Sequence, residues 1–248
     1  NLSSQTKWES IFNTNCLTEH KVGKSTFMSI NMSSGGRIAK FNNEEILLSV
    51  GDYYFDGVND SNMVNTTNSL YGKIIKINFV SKKFEIYADG VRNVQGLLVT
   101  DNGIYSTEHG PQGGDELNFI EYEKNYGWPK ATYGVNYRTK EWPLDKKNEN
   151  HSSKDFTKPM MAWIPSIAPS QLVEIKSDNI LKRWDKDLLV SSLKAKSLFR
   201  IKTKDFNNLM LIEKINIDFR IRDIIEKEGI FYLLEDGAPT IWQMKKVN

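Results

Sequence analysis

Thr107-Glu108-His109-Gly110-Pro111-Gln112-Gly113-Gly114-Asp115-Glu116-Leu117 is the segment best supplied with groups that could do chemistry. Its three glycines let the backbone take conformations other residues avoid and let a ligand come close. Pro111 has no N–H, so its peptide offers only an acceptor. Turn carbonyls followed by two carboxylates suit a hard, oxygen-seeking cation such as calcium. A long hairpin with solvated acids is the competing reading.

Two further groupings offer cations. Arg92-Asn93-Val94-Gln95-Gly96 carries forked donors that match the carbonyls and carboxylates of a flat ligand. In Arg220-Ile221-Arg222-Asp223, strand geometry puts both guanidiniums on one face. They repel unless an anion sits between them or water screens them. With Lys194 they could clamp a polycarboxylate; a solvated strand face is the alternative. Ser166 and Ser170, in a proline-bounded loop, could donate to a ligand or cap turns. Asn125-Tyr126-Gly127-Trp128-Pro129 reads as an aromatic plug with a tight turn. His20, His109 and His151 are the only histidines, and none has a triad or zinc-protease spacing.

These groups need a scaffold, and the pattern is β throughout. Residues 36–50 pair two apolar runs across Asn42-Asn43-Glu44-Glu45, and residues 95–107 do so across Asp101-Asn102-Gly103. Later hairpins join 172–175 to 188–191, and 221–225 to 230–234 around Glu228-Gly229. Further strands are expected at 73–78, 84–87, 116–121, 197–201 and 240–245, with irregular segments at 52–68, 127–153 and 159–170. No segment gives a convincing long amphipathic helix. An irregular return of hairpins is what propeller blades with long connections produce.

Composition removes several classes of function. Net charge is +2, with 33 basic and 31 acidic residues dispersed, so the chain lacks the basic block of a nucleic-acid binder. No apolar run is long enough to span a membrane as a helix. The single Cys16 excludes an intramolecular disulfide framework and reads as a buried or half-buried small residue. The chain opens at Asn1 without an initiator Met or a leader, which predicts a processed or partial chain.

Taken in order, the motifs resemble the soluble glucose/sorbosone and aldose sugar dehydrogenases. The landmarks are Gly35-Gly36-Arg37-Ile38 with Gly51-Asp52, Ser69-Leu70-Tyr71-Gly72-Lys73-Ile74, Arg92 to Leu97, and Glu108 to Leu117. Asn125 to Pro129, Pro165 to Ser170, Ser192-Leu193-Lys194 and Arg220 to Asp223 complete the series. The resemblance spans roughly residues 33–245 and implies a six-bladed β-propeller that uses pyrroloquinoline quinone and calcium. It implies one domain over residues 1–248, holding the C-terminal four to five blades of an incomplete ring. Arg92, Asn93 and Gln95 fall in the cofactor motif, with Arg92 and Asn93 holding the quinone oxygens as charge grows there. Lys194, Arg220 and Arg222 would pair with the cofactor's carboxylates, with Ser166 and His109 beside it. The carbonyls of Gly110 and Pro111 would bind the cofactor's calcium, and Glu116 with the Tyr126 carbonyl a structural one. The expected activity is oxidation of an aldose at C1 to a lactone, with an external electron acceptor and a periplasmic or secreted location.

Departures from the pattern are specific. Val91 and Val94 replace a His and a Pro common in the family, and Ile164 lies where some relatives place a Trp. The family's general base, a His in an early blade followed by a His-Pro, has no counterpart here. The alternative function is a non-catalytic calcium-binding propeller that recognises a protein or glycan. A six-bladed lactonase-type hydrolase is disfavoured, because its site would not need these cations.

Overall fold

The computed structural model describes residues 7–14, 32–56, 63, 64, 66, 69–137, 140, 155–178 and 180–245. Cys16, His20, His151 and most of the polar segment 138–154 lie outside the described residues. Sixteen strands in four sheets make up the described fold, with one short helical turn at Lys182–Trp184. The all-β expectation holds.

The first sheet is the meander β1 (Gly35–Lys40), β2 (Glu45–Val50), β3 (Lys73–Asn78) and β4 (Phe84–Asp89). The second holds β5 (Val94–Thr100), β6 (Gly103–Glu108) and β7 (Asp115–Ile120); the two-residue β8 (Lys124–Asn125) returns to pair in parallel with β4. β9 (Met161–Trp163) completes the second sheet against β7. The third is β10 (Pro169–Glu174), β11 (Leu188–Ser192), β12 (Ser197–Asp205) and β13 (Asn208–Asn216). The fourth is β14 (Ile221–Lys227), β15 (Ile230–Glu235) and β16 (Ile241–Gln243). Glu228 and Gly229 both take positive φ, as a two-residue hairpin turn requires.

Alternating side chains glue each sheet to the next. Leu47 and Ile74 of the first sheet meet Val94, Leu97 and Ile104 of the second. On β11, Leu188 and Val190 face the second sheet while Leu189 faces the fourth, where Ile221, Ile224 and Phe231 receive it. The innermost strands β1, β5, β10 and β14 lie side by side in that order. Small residues make the approach possible: a Cβ on Gly96 would come within 2.8 Å of Leu172 Cδ2. Ser170 Oγ, fully buried, donates to the Ile221 carbonyl at 2.7 Å and links β10 to β14. Sheets packed face to face through central first strands are the propeller arrangement.

Two expectations about the elements are corrected. The segment 159–170 is not wholly irregular, because Met161–Trp163 pairs with β7 and Pro169 and Ser170 already belong to β10. β13 escaped the sequence reading because it is an outer edge strand with mostly exposed residues, so little inward alternation marks it.

Candidate functional site

Three loops meet at one end of the central strands: 90–93 before β5, 109–114 between β6 and β7, and 164–168 before β10. Asp115 joins two of them. Its Oδ1 accepts from the Gly110 N–H and the Ser166 hydroxyl, both at 3.1 Å. Its Oδ2 accepts from the N–H groups of Ile167 at 2.8 Å and Ala168 at 2.7 Å. Ser166 in turn accepts from the Gly113 N–H at 3.0 Å. Asp115 is therefore an interior fastener, and burial holds its carboxyl above the usual range despite the partners.

Arg92 lies buried beneath these loops. Its Nη1 donates to the carbonyls of His109 at 2.9 Å and Gly110 at 2.7 Å. The guanidinium lies over Trp128, 5.2 Å from the ring centroid, and Nε is 3.8 Å from Asp52. Among the described residues that Nε has no hydrogen-bond partner. Trp128 Nε1 donates to Asp52 at 2.9 Å, so Asp52 fixes both the cation and the ring beneath it. Burial pushes the Asp52 carboxyl up to about 6, against the opposing pull of Arg92. Asn93 Oδ1 accepts from the Gly35 N–H at 3.1 Å and from Gln95 Nε2 at 2.9 Å, tying β1 to the start of β5.

Glu108, the last residue of β6, supports the same loop from below. Its carboxylate accepts from the Arg92 N–H and from Asn118 Nδ2, the latter at 2.8 Å. Asn118 Nδ2 also reaches Glu116 at 3.4 Å. Burial, followed by the charge of Glu116, pushes Glu108 up to about 8. A small cavity beside this pair is lined by Arg92, Glu108, Gly110, Glu116, Tyr126 and Trp128. Two buried carboxylates beside a backbone-lined space suit a hard cation. Among the described residues no three His, Cys or carboxylate side chains group as a metal site, so backbone carbonyls would have to contribute.

The outer wall is cationic. Arg220 Nε donates to Asp236 at 2.7 Å, and Arg222 donates to the same carboxylate through Nε at 2.9 Å and Nη2 at 2.6 Å. Both guanidiniums share one face, as the strand period predicts, and the anion between them is supplied by the protein. Burial lowers the His109 pKa, opposed by the charge of Asp115 and the hydrogen bond to Pro169 and helped by the smaller effects of Arg92 and Arg222. His109 Nε2 is 2.7 Å from the Pro169 carbonyl, which as an acceptor places the ring proton on Nε2. The Pro111 carbonyl accepts from the Tyr137 hydroxyl at 3.2 Å. Lys194 is exposed and joins the group through its N–H, which donates to the Ile167 carbonyl at 3.0 Å.

Contacts thus bring Arg92, Asn93, Gln95, His109, Gly110, Pro111 and Ser166 into one neighbourhood, with Arg222 of β14 held beside Arg220. Arg220 is tied to Arg222 through Asp236, and Glu116 and Tyr126 lie at the inner cavity. Glu108, Asp52 and Asp236 do the positioning, and sequence reasoning gave none of them a role. The available signal was an acid at the end of a strand beside a glycine-rich or cationic loop.

Sheets packed around central first strands, with a carbonyl-rich, loop-built site at one end of those strands, define the class as a propeller-type protein. The sequence model of the Glucose / Sorbosone dehydrogenase family matches residues 14–242, and the chain belongs to that family. It is 30% identical over 207 residues to the aldose sugar dehydrogenase YliI of Escherichia coli, covering 75% of this chain and 54% of that protein. It is 29% identical over 211 residues to quinoprotein glucose dehydrogenase B of Acinetobacter calcoaceticus, covering 63% of this chain and 44% of the relative. The crystal structure of the apo soluble aldose sugar dehydrogenase of Escherichia coli superposes with a TM-score of 0.71 at 25% identity, covering 82% of this chain and 60% of that one. The chain therefore spans about half the length of these curated relatives. No helix among the described residues is long and apolar enough to cross a membrane.

Proposed function

We propose that the whole protein oxidises an aldose at C1 to its lactone, using pyrroloquinoline quinone and calcium, and that each sheet here is one blade of a six-bladed ring. The observation that carries this reading is the convergence of Arg92, Asn93, His109 and Ser166 on the Gly110 loop. The donor set fits the cofactor: a flat, triply acidic quinone needs cations at its rim and N–H donors at its carbonyls, and Arg92 Nε is a buried donor without a hydrogen-bond partner among the described residues. Bound there, the quinone supplies the hydride acceptor.

The chain's own residues divide the remaining work. Arg92 and Asn93 present fixed charge and dipole where negative charge would develop on the quinone, and Gln95 holds Asn93 in place. Arg220, Arg222 and Lys194 meet the cofactor's carboxylates. Ser166 and His109 line the side, and the neutral imidazole adds no repulsive charge between the cations. The Gly110 carbonyl accepts from Arg92 with one lone pair and keeps a second for calcium, with Pro111 beside it. Glu116 and the Tyr126 carbonyl hold a second, structural calcium at the inner cavity. No described histidine is placed as the proton acceptor for the sugar hydroxyl, since His109 is half-buried and spends Nε2 on Pro169. An external acceptor reoxidises the enzyme, in the periplasm or outside the cell.

The test is aldose-dependent reduction of an artificial dye by the full-length protein reconstituted with the quinone and calcium. Bound quinone with no reduction across a panel of aldoses sinks the catalytic reading and favours a calcium-binding propeller without chemistry.

A further inference from the structure

We propose that Asp236 is a positioning residue, which holds the Arg220 and Arg222 guanidiniums side by side so that their remaining N–H groups form a single seat for a polycarboxylate. The inference rests on the quinone reading of the site and assigns a role to a residue outside the cofactor motifs. Asp236 follows β15 directly, and its own N–H donates to the Arg220 carbonyl at 2.8 Å, so the turn is tied to the strand it serves. Its two oxygens are divided: Oδ2 takes Arg220 Nε and Oδ1 takes Arg222 Nε and Nη2. Among the described residues, both Nη groups of Arg220 and Nη1 of Arg222 make no hydrogen bond to Asp236 and are left to a ligand. Without the carboxylate, two like charges one pleat apart on a strand repel and the long side chains splay. With it, the trio keeps a net charge of +1 and a fixed fork geometry. The two arginines hold Asp236 below the usual carboxylate range, so it stays ionised at neutral pH. Ile221, between the two arginines, accepts at its carbonyl from Ser170 Oγ at 2.7 Å, and the neighbouring Pro169 carbonyl meets His109 Nε2 at 2.7 Å, which connects the trio to the cofactor loop.

The experiment titrates pyrroloquinoline quinone, and separately citrate, onto the calcium-loaded full-length protein and its Asp236→Ala and Asp236→Asn variants. Melting temperature is measured in parallel. Expected is about tenfold weaker quinone and citrate binding in Asp236→Ala with an unchanged melting temperature, and partial rescue in Asp236→Asn, which keeps one acceptor oxygen. If Asp236→Ala fails to fold, the Asp236→Asn comparison with the parent decides alone. Equal or tighter binding in the variants overturns the proposal, because Asp236 would then merely compete with the ligand. If the parent binds citrate but no quinone, the quinone reading fails while citrate still judges the seat. If the parent binds neither, both fail.

Discussion

Arg37 on β1 and Asp223 on β14 form an ion pair at 3.1 Å although 186 residues separate them. The pair joins the first sheet to the fourth across the inner side of the assembly, and Arg37 Nε also donates to the Gln95 carbonyl at 2.9 Å. Asp223 follows Arg222 at an irregularity in the pairing of β14 with β15, so Arg37 reaches the backbone that carries Arg222.

Both partners are partly exposed, so the pair itself contributes modestly. A double-mutant cycle of Arg37→Met and Asp223→Asn should give a coupling of about 0.5–1 kcal/mol in urea denaturation, falling at high salt. A coupling of zero would mean the contact carries no energy between the sheets.

Asp115 accepts four hydrogen bonds from two loops. In Asp115→Asn the amide NH2 must face donors, so we expect a loss of about 3 kcal/mol in chemical denaturation. Quinone binding should weaken with it, because Gly110 and Ser166 lose their common anchor. Asp115→Asn with parental stability would show that the fastener role is wrong.

Asp52 gives a signed pH dependence. Burial raises its carboxyl to about 6, whereas the unfolded chain releases the proton near 4. Between those values the folded state holds a proton that the unfolded state has lost. This group's contribution to stability is full below about pH 4 and is lost as pH rises to about 6. The stability difference between parent and Asp52→Asn should therefore fall by on the order of 2 kcal/mol across that interval and stay flat above pH 7. Denaturation curves from pH 4 to 8 measure it.

Calcium should stabilise the protein through the cavity beside Glu108 and Glu116. A ligand at a hundred times its Kd adds about 2.7 kcal/mol, seen as a rise in melting temperature that a chelator reverses. Glu116→Gln should remove most of the rise. A full response in that variant would move the metal elsewhere.

The sequence alone determined the sheets and the chemistry on offer. Strand and turn signals are local: β-branched runs, the Glu228-Gly229 turn and the alternation of Leu188, Leu189 and Val190 act through near neighbours, so they are legible residue by residue. The order of the motifs from Gly35 to Asp223 likewise carried the family. Only the tertiary structure decided what each charge meets. The period of a strand put Arg220 and Arg222 on one face, but the carboxylate between them arrives from the turn after β15. Arg92 promised a donor aimed at a ligand, yet packing buries it over Trp128 with Asp52 behind and the Gly110 carbonyl in front. Asp115 and Glu116 are adjacent in sequence, but strand alternation turns one to the loops and the other to the inner cavity. Desolvation and long-range pairing depend on chain segments far apart in sequence, and a string of residue types contains no distances between them.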